Sequence, residues 1–206
     1  MNQRASLRSA PEADPLGHQE PKVFQKASKL PMAVRPIVKY PEPVLNTRAR
    51  EVSSIDSEVR RLVTDMIETM HSAPGVGLAA NQVGVLERVA VVDLSVGKDP
   101  SALVVLINPR VLSSDGQQLD EEGCLSIPGI TELVPRPLQT EVEALNLEGR
   151  PFRIRGEGLM ARALLHEIDH LDGILFLERL SPLKRRLLRK KIQKLIRDGD
   201  WPGVGA

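Results

Sequence analysis

The chain has 206 residues, 41% of them hydrophobic and 27% charged, with a formal net charge of +1 and a single cysteine. That composition excludes a disordered or fibrous chain, and the near-neutral balance gives no general electrostatic argument for a nucleic-acid or membrane partner. One cysteine excludes an intramolecular disulfide and fits a reducing compartment, and no apolar run approaches the roughly 18 residues that span a bilayer.

Residues 1–31 carry few large apolar side chains and read as a flexible polar extension, with Met32 in "MAVRPIVKY" as an alternative start and residues 32–206 as one folded domain. The extension lacks the apolar core of a secretory signal. Arg4, Ser6, Arg8 and Ser9 hint at a transit peptide, but Glu12 and Asp14 come too early for one. In "DSEVRRLVTDMIETMHS" apolar side chains recur at Val59, Leu62, Val63, Met66, Ile67 and Met70, which is helical spacing, with Ser54 or Asp56 as N-cap. "PGVGLAANQVG" is too rich in glycine and small residues for an ordinary strand or helix.

Strand-like segments follow at residues 88–94, 102–107, 140–147 and 151–158, with "INPRVL" and "SSDG" read as turn signals. A helix is predicted from Leu159 to Asp172, stopped by Gly173. Pro182 opens a last amphipathic helix with Leu183, Leu187, Leu188, Ile192, Leu195 and Ile196 on one side. Strands in the middle and helices at both ends predict a single α+β domain, and the short connections favour antiparallel pairing.

The predicted helix 159–172 contains "HEIDH". His166 and His170 stand one turn apart on one helix face and can bind one ion, and Glu167 beside them can act as general base toward an activated water. A catalytic metal wants a third protein ligand. Phe176 occupies the position where one protease class places a third histidine, and Glu178 is too close to return from a separate helix. Cys124 in "DEEGCLSIPG" remains as the candidate, because a thiolate binds zinc or ferrous iron strongly and its neighbours are polar, unlike those of a core strand. A closed structural zinc site would need a fourth ligand, for which His18 and His71 are poor candidates.

Together with "GVGLAANQ" (75–82) and "EGCLS" (122–126), this motif makes the chain resemble the peptide deformylases over roughly residues 34–197. The resemblance implies a hydrolase that removes the N-formyl group from the formylmethionine of nascent polypeptides and releases formate. It implies antiparallel sheets packed around a central metal-binding helix. Cys124, His166 and His170 would be the metal ligands, Glu167 the proton carrier, and the Gln82 side chain with the Leu125 backbone N–H the oxyanion donors. The ion expected from the family is Fe2+, with Zn2+, Ni2+ or Co2+ also able to occupy the site. Gly75 and Gly77 would allow close backbone approach, and Val76 and Leu159 are candidate walls of the methionine pocket.

Two positions depart from common family patterns: Leu165 where glutamine often stands, and Arg162 on the helix turn before His166, where some members carry an apolar residue. Arg162 is expected to pair with Glu121 or Glu122. The last helix concentrates eight basic residues between Lys184 and Arg197, which suggests contact with ribosomal RNA near the emerging substrate. A bacterial cytoplasmic location, a monomer and no membrane partner complete the expectation.

Overall fold

The computed structural model describes residues 33–202. The predictions about residues 1–31, the start at Met32 and His18 lie outside them.

Helix α1 spans Ser57–Ser72, and Asp56 caps it by accepting from the backbone N–H of Glu58 and Val59. Its apolar stripe lies on one face of an antiparallel sheet built from β1 (Gly77–Ala79), β2 (Val89–Val92), β3 (Val104–Asp115), β6 (Gln139–Leu145) and β7 (Pro151–Glu157), paired in the order β1-β2-β3-β6-β7. The second helix, α2 (Leu159–Leu171), covers the other face. Strand β2 shows why. Val89 and Val91 pack with α1, while Ala90 and Val92 pack with α2, so the strand is apolar throughout rather than alternating.

Strands β4 (Gln118–Cys124) and β5 (Ile127–Arg136) form a separate antiparallel hairpin, which the sequence reading did not anticipate. A third core joins this hairpin to the short 3-10 turn Phe176–Arg179 and to α3 (Pro182–Asp198), and Trp201 closes it by donating its indole N–H to the Tyr40 carbonyl at 2.7 Å.

Three predicted elements need correction. "INPRVL" is not a turn: β3 runs through it, with register shifts between Ile107 and Ser113. Asn108 there holds a left-handed φ of 53°, and its side-chain amide bonds both the N–H and the carbonyl of Val52. The glycine-rich "GVGLAANQ" contributes a three-residue strand and the 3-10 turn Ala80–Val83. On α3, Leu188 and Ile192 are buried, whereas Leu183 and Leu187 face solvent, so the buried stripe is narrower than predicted.

Helix α2 stops where expected. Gly173 has a φ of +74°, and a Cβ there would sit 2.8 Å from the Asn46 carbonyl oxygen, so both the turn and the contact require glycine. Ten of its residues, including the acidic Glu167 and Asp169, are buried. Burying so many polar groups is costly unless each has a partner. For Arg162, His166 and Asp169 those partners are Glu122 and Arg136 of the β4–β5 hairpin.

Candidate active site

Helix α2 and the β4–β5 hairpin are joined through Arg162, His166 and Asp169 on the helix and Glu122, Val134 and Arg136 on the hairpin. His166 and His170 project from one face of α2 toward Cys124, the last residue of β4, and Leu125–Ser126 form the two-residue turn into β5. The three donor atoms lie within 4.8 Å of one another: Cys124 Sγ is 3.1 Å from His170 Nε2, which is 3.2 Å from His166 Nε2. Tetrahedral coordination by one thiolate and two imidazoles places donors about 3.3–3.6 Å apart, given usual metal–S and metal–N lengths. The donor set therefore fits one divalent ion.

Glu122, two residues before Cys124, organises the surroundings. One of its oxygens accepts from His166 Nδ1 at 2.7 Å and from Arg136 at 2.6 Å; the other accepts from Arg136 at 3.0 Å and from Arg162 at 2.9 Å. Arg136 continues to Asp169 at 2.5 Å, and Arg179 closes on the same carboxylate at 3.0 Å. The bond to Nδ1 fixes the His166 tautomer and leaves Nε2 for the metal. Burial alone would raise Glu122, but His166 and Arg136 outweigh it and hold the carboxyl far below its usual range.

Burial pushes His166 down, yet the Cys124 and Glu122 contacts win and raise it well above its ordinary value. Burial, reinforced by His166, drives His170 well below the ordinary range, which keeps it neutral and able to ligate. Burial also lifts Glu167 to about 7, against the pull of His166.

The glycine-rich segment supplies the opposite wall. Gln82 Oε1 accepts from the Ala79 backbone N–H at 2.9 Å, which fixes the amide so that Nε2 points to Cys124 Sγ at 3.5 Å and Ser126 Oγ at 3.3 Å. Gly77 lies against Glu167: an ideal Cβ there would stand 2.3 Å from Glu167 Oε1. Lys39 donates to the Leu125 carbonyl at 2.7 Å and steadies the turn after Cys124.

Cys124, His166, Glu167, Gln82, Glu122, Gly77 and Lys39 border one cavity of about 570 Å³. Its lining includes Gly75, Val76, Gly77, Leu125, Leu159 and Glu167, so every predicted substrate-pocket residue lies on it, together with Gln82, Cys124 and His166. His170 sits behind His166 and is buried. Arg162 pairs with Glu122, one of the two partners expected, and it also lines the cavity.

Phe176 packs against His166 with ring centroids 6.4 Å apart, and Glu178 is engaged by Arg185 and Arg189, so neither completes a protease-type ligand set. The motifs gave no sign of Arg136 or Lys39. Asp169 carried a signal that could have been used: an aspartate inside a helix that buries its other residues needs a cation, and here it has Arg136 and Arg179.

A family model described as polypeptide deformylase matches residues 34–186. A peptide deformylase of Acidobacterium capsulatum is 50% identical over 170 residues, covering 82% of this chain and 100% of that protein. One from Thermodesulfovibrio yellowstonii is 50% identical over 162 residues, covering 79% of this chain and 98% of its own. The crystal structure of a peptide deformylase from Legionella pneumophila superposes with a TM-score of 0.75 at 44% identity, covering 81% of this chain and 98% of that one. The peptide deformylase of Ehrlichia chaffeensis, solved in complex with actinonin, gives 0.72 at 38% identity over 79% and 98%.

Proposed function

The chain belongs to the polypeptide deformylase family, and on that premise we propose how its residues share the work of a metal-dependent hydrolase that removes the N-formyl group from the formylmethionine of nascent polypeptides. The observation that carries the assignment of roles is the convergence of the Cys124, His166 and His170 donor atoms beside a buried, base-competent Glu167, with Cys124, His166 and Glu167 lining one cavity.

Cys124 Sγ and the Nε2 atoms of His166 and His170 would hold the ion, and Glu122 fixes the first imidazole from behind. When bound, a divalent cation supplies Lewis acidity that acidifies water and polarises the formyl carbonyl. Glu167 takes the proton from the attacking water and delivers it to the departing amine, which could not leave as an anion. A carboxyl lifted by burial toward neutrality suits both halves of that transfer. The Gln82 amide, pre-oriented by the Ala79 N–H, and the backbone N–H of Leu125 donate to the developing oxyanion. Val76 and Leu159 flank the space for the methionine side chain, and Gly75 and Gly77 let the substrate backbone approach.

The native ion is assigned as Fe2+, because thiolate with two imidazoles suits a borderline ion and the family favours iron; zinc, nickel and cobalt suit the same donors. Anaerobic purification with metal analysis, followed by formate release from formyl-Met-Ala-Ser without internal peptide cleavage, tests activity and metal together. An iron-free, fully active enzyme would refute the iron assignment, and endoproteolysis would refute the reaction.

Among the described residues no helix is long and apolar enough to cross a membrane. We place the enzyme in a bacterial cytoplasm, acting as a monomer, because its substrate is made there and its relatives include bacterial deformylases. On α3, Arg186, Lys190, Lys191 and Lys194 are exposed and form no ion pair among the described residues, which supports contact with ribosomal RNA. Deleting α3 would uncover Leu188 and Ile192, so the sound test is reversal of those four charges. Ribosome co-sedimentation should weaken with the reversal and with salt; unchanged binding would refute the contact.

A further inference from the structure

The hairpin presents two faces. In the β4–β5 register Gly123 stands opposite Thr131, Glu121 opposite Leu133, and Leu119 opposite Pro135. These three rungs share one face, because side chains on a strand alternate. The opposite face carries Glu122, Val134 and Arg136 into the protein. The outward face begins inside the catalytic cavity, which Glu121, Gly123 and Thr131 line, and then leaves it. Beyond the cavity it becomes apolar, with Leu133 46% and Leu119 60% exposed beside Pro135. On an ordinary antiparallel hairpin an outward face is polar, so two solvent-facing leucines in register with the site call for a partner.

We infer that this face is a track for the substrate's own chain downstream of the formylmethionine, gripping apolar side chains at about its fourth to sixth residues. The inference rests on the deformylase reading given above. Continuity selects the occupant: the face is an extension of the cavity wall, and the substrate is an extended polypeptide leaving that cavity. Four residues separate Gly123 from Leu119, about 14 Å along a strand, which an extended peptide covers in about four residues. Glu121, exposed on the rung it shares with Leu133, adds a bias against acidic substrate residues.

The test compares formyl-Met-Ala-Ser with two formylated heptapeptides that continue it with leucine-rich or aspartate-rich residues. On the unaltered enzyme the leucine-rich heptapeptide should show a KM about five- to tenfold below that of the tripeptide, the scale expected for covering two half-exposed leucines. The aspartate-rich one should show no such gain. In the Leu119→Ser/Leu133→Ser double variant the advantage of the leucine-rich peptide should vanish, with the tripeptide as internal reference and thermal melting as a check on folding. A KM indifferent to sequence beyond the third residue would overturn the track. So would retention of the advantage in the double variant. Self-association lost in that variant, with unchanged KM values, would make a second copy the occupant and overturn the track as well. Failure to release formate from any of the three peptides would instead refute the deformylase reading beneath it.

Discussion

Replacing Gly77 by alanine isolates the positioning of the proposed base. No left-handed φ is required at Gly77, so alanine is acceptable to the backbone, and the conflict lies in the side chain. The new Cβ would fall 2.3 Å from Glu167 Oε1 and 2.8 Å from Cδ, where ordinary contact begins near 3.4 Å. The carboxylate must retreat by about 1 Å, and a displacement of that size can cost about 100-fold in rate, or about 2.7 kcal/mol of activation free energy. The three atoms nearest the new Cβ all belong to Glu167 and none to a proposed ligand, so metal content should stay at one per chain and the melting temperature should move little. Formate release should show kcat reduced about 100-fold, with a smaller change in KM. An alanine variant with wild-type kcat and a full metal complement would show that the Gly77 contact does not position the base.

Changing Glu122 to glutamine removes the carboxylate that His166, Arg136 and Arg162 share. Metal should be lost to a competing chelator at about 10- to 100-fold lower chelator concentration, the usual cost of losing such a support. Replacing Gln82 by leucine removes a donor while conserving bulk, and should lower kcat about 100-fold or more with bound metal retained, as read from formate release and metal analysis. Burial would raise Asp93, but bonds from Ser95, the Gly97 N–H and His71 hold it below its ordinary range. A depressed carboxylate contributes stability above its unfolded value of about 3.8 and loses it as pH falls through the lower folded value. Urea midpoints measured from pH 7 down to pH 3 should therefore fall less steeply in Asp93→Asn than in the parent.

The cluster of ligand candidates was legible because its chemistry is local. His166 and His170 are one helical turn apart, and Cys124 stood out as a thiol among polar residues. The hairpin that carries Cys124 was not legible. "QLDEEGC" has acidic residues on both faces of the strand, and the one that is buried, Glu122, is neutralised by Arg136 and Arg162 from distant segments. No periodicity reveals such pairing. The course of β3 was hidden for a different reason. Asn108 looked like a turn residue, and it does adopt a left-handed backbone, but Val52 satisfies its amide and the strand continues past the bulge. On α3 the leucine spacing is helical, while Leu183 and Leu187 lie beyond what the hairpin core covers.

The central claim is that Glu167 moves the proton beside an ion held by Cys124, His166 and His170. It is tested most directly by Glu167→Gln purified anaerobically, with metal content and formate release measured on the same sample. The expected result is one divalent ion per chain, as in the parent, with turnover of formyl-Met-Ala-Ser reduced by at least about 100-fold. A metal-loaded Glu167→Gln enzyme that releases formate at the parent rate would contradict the mechanism.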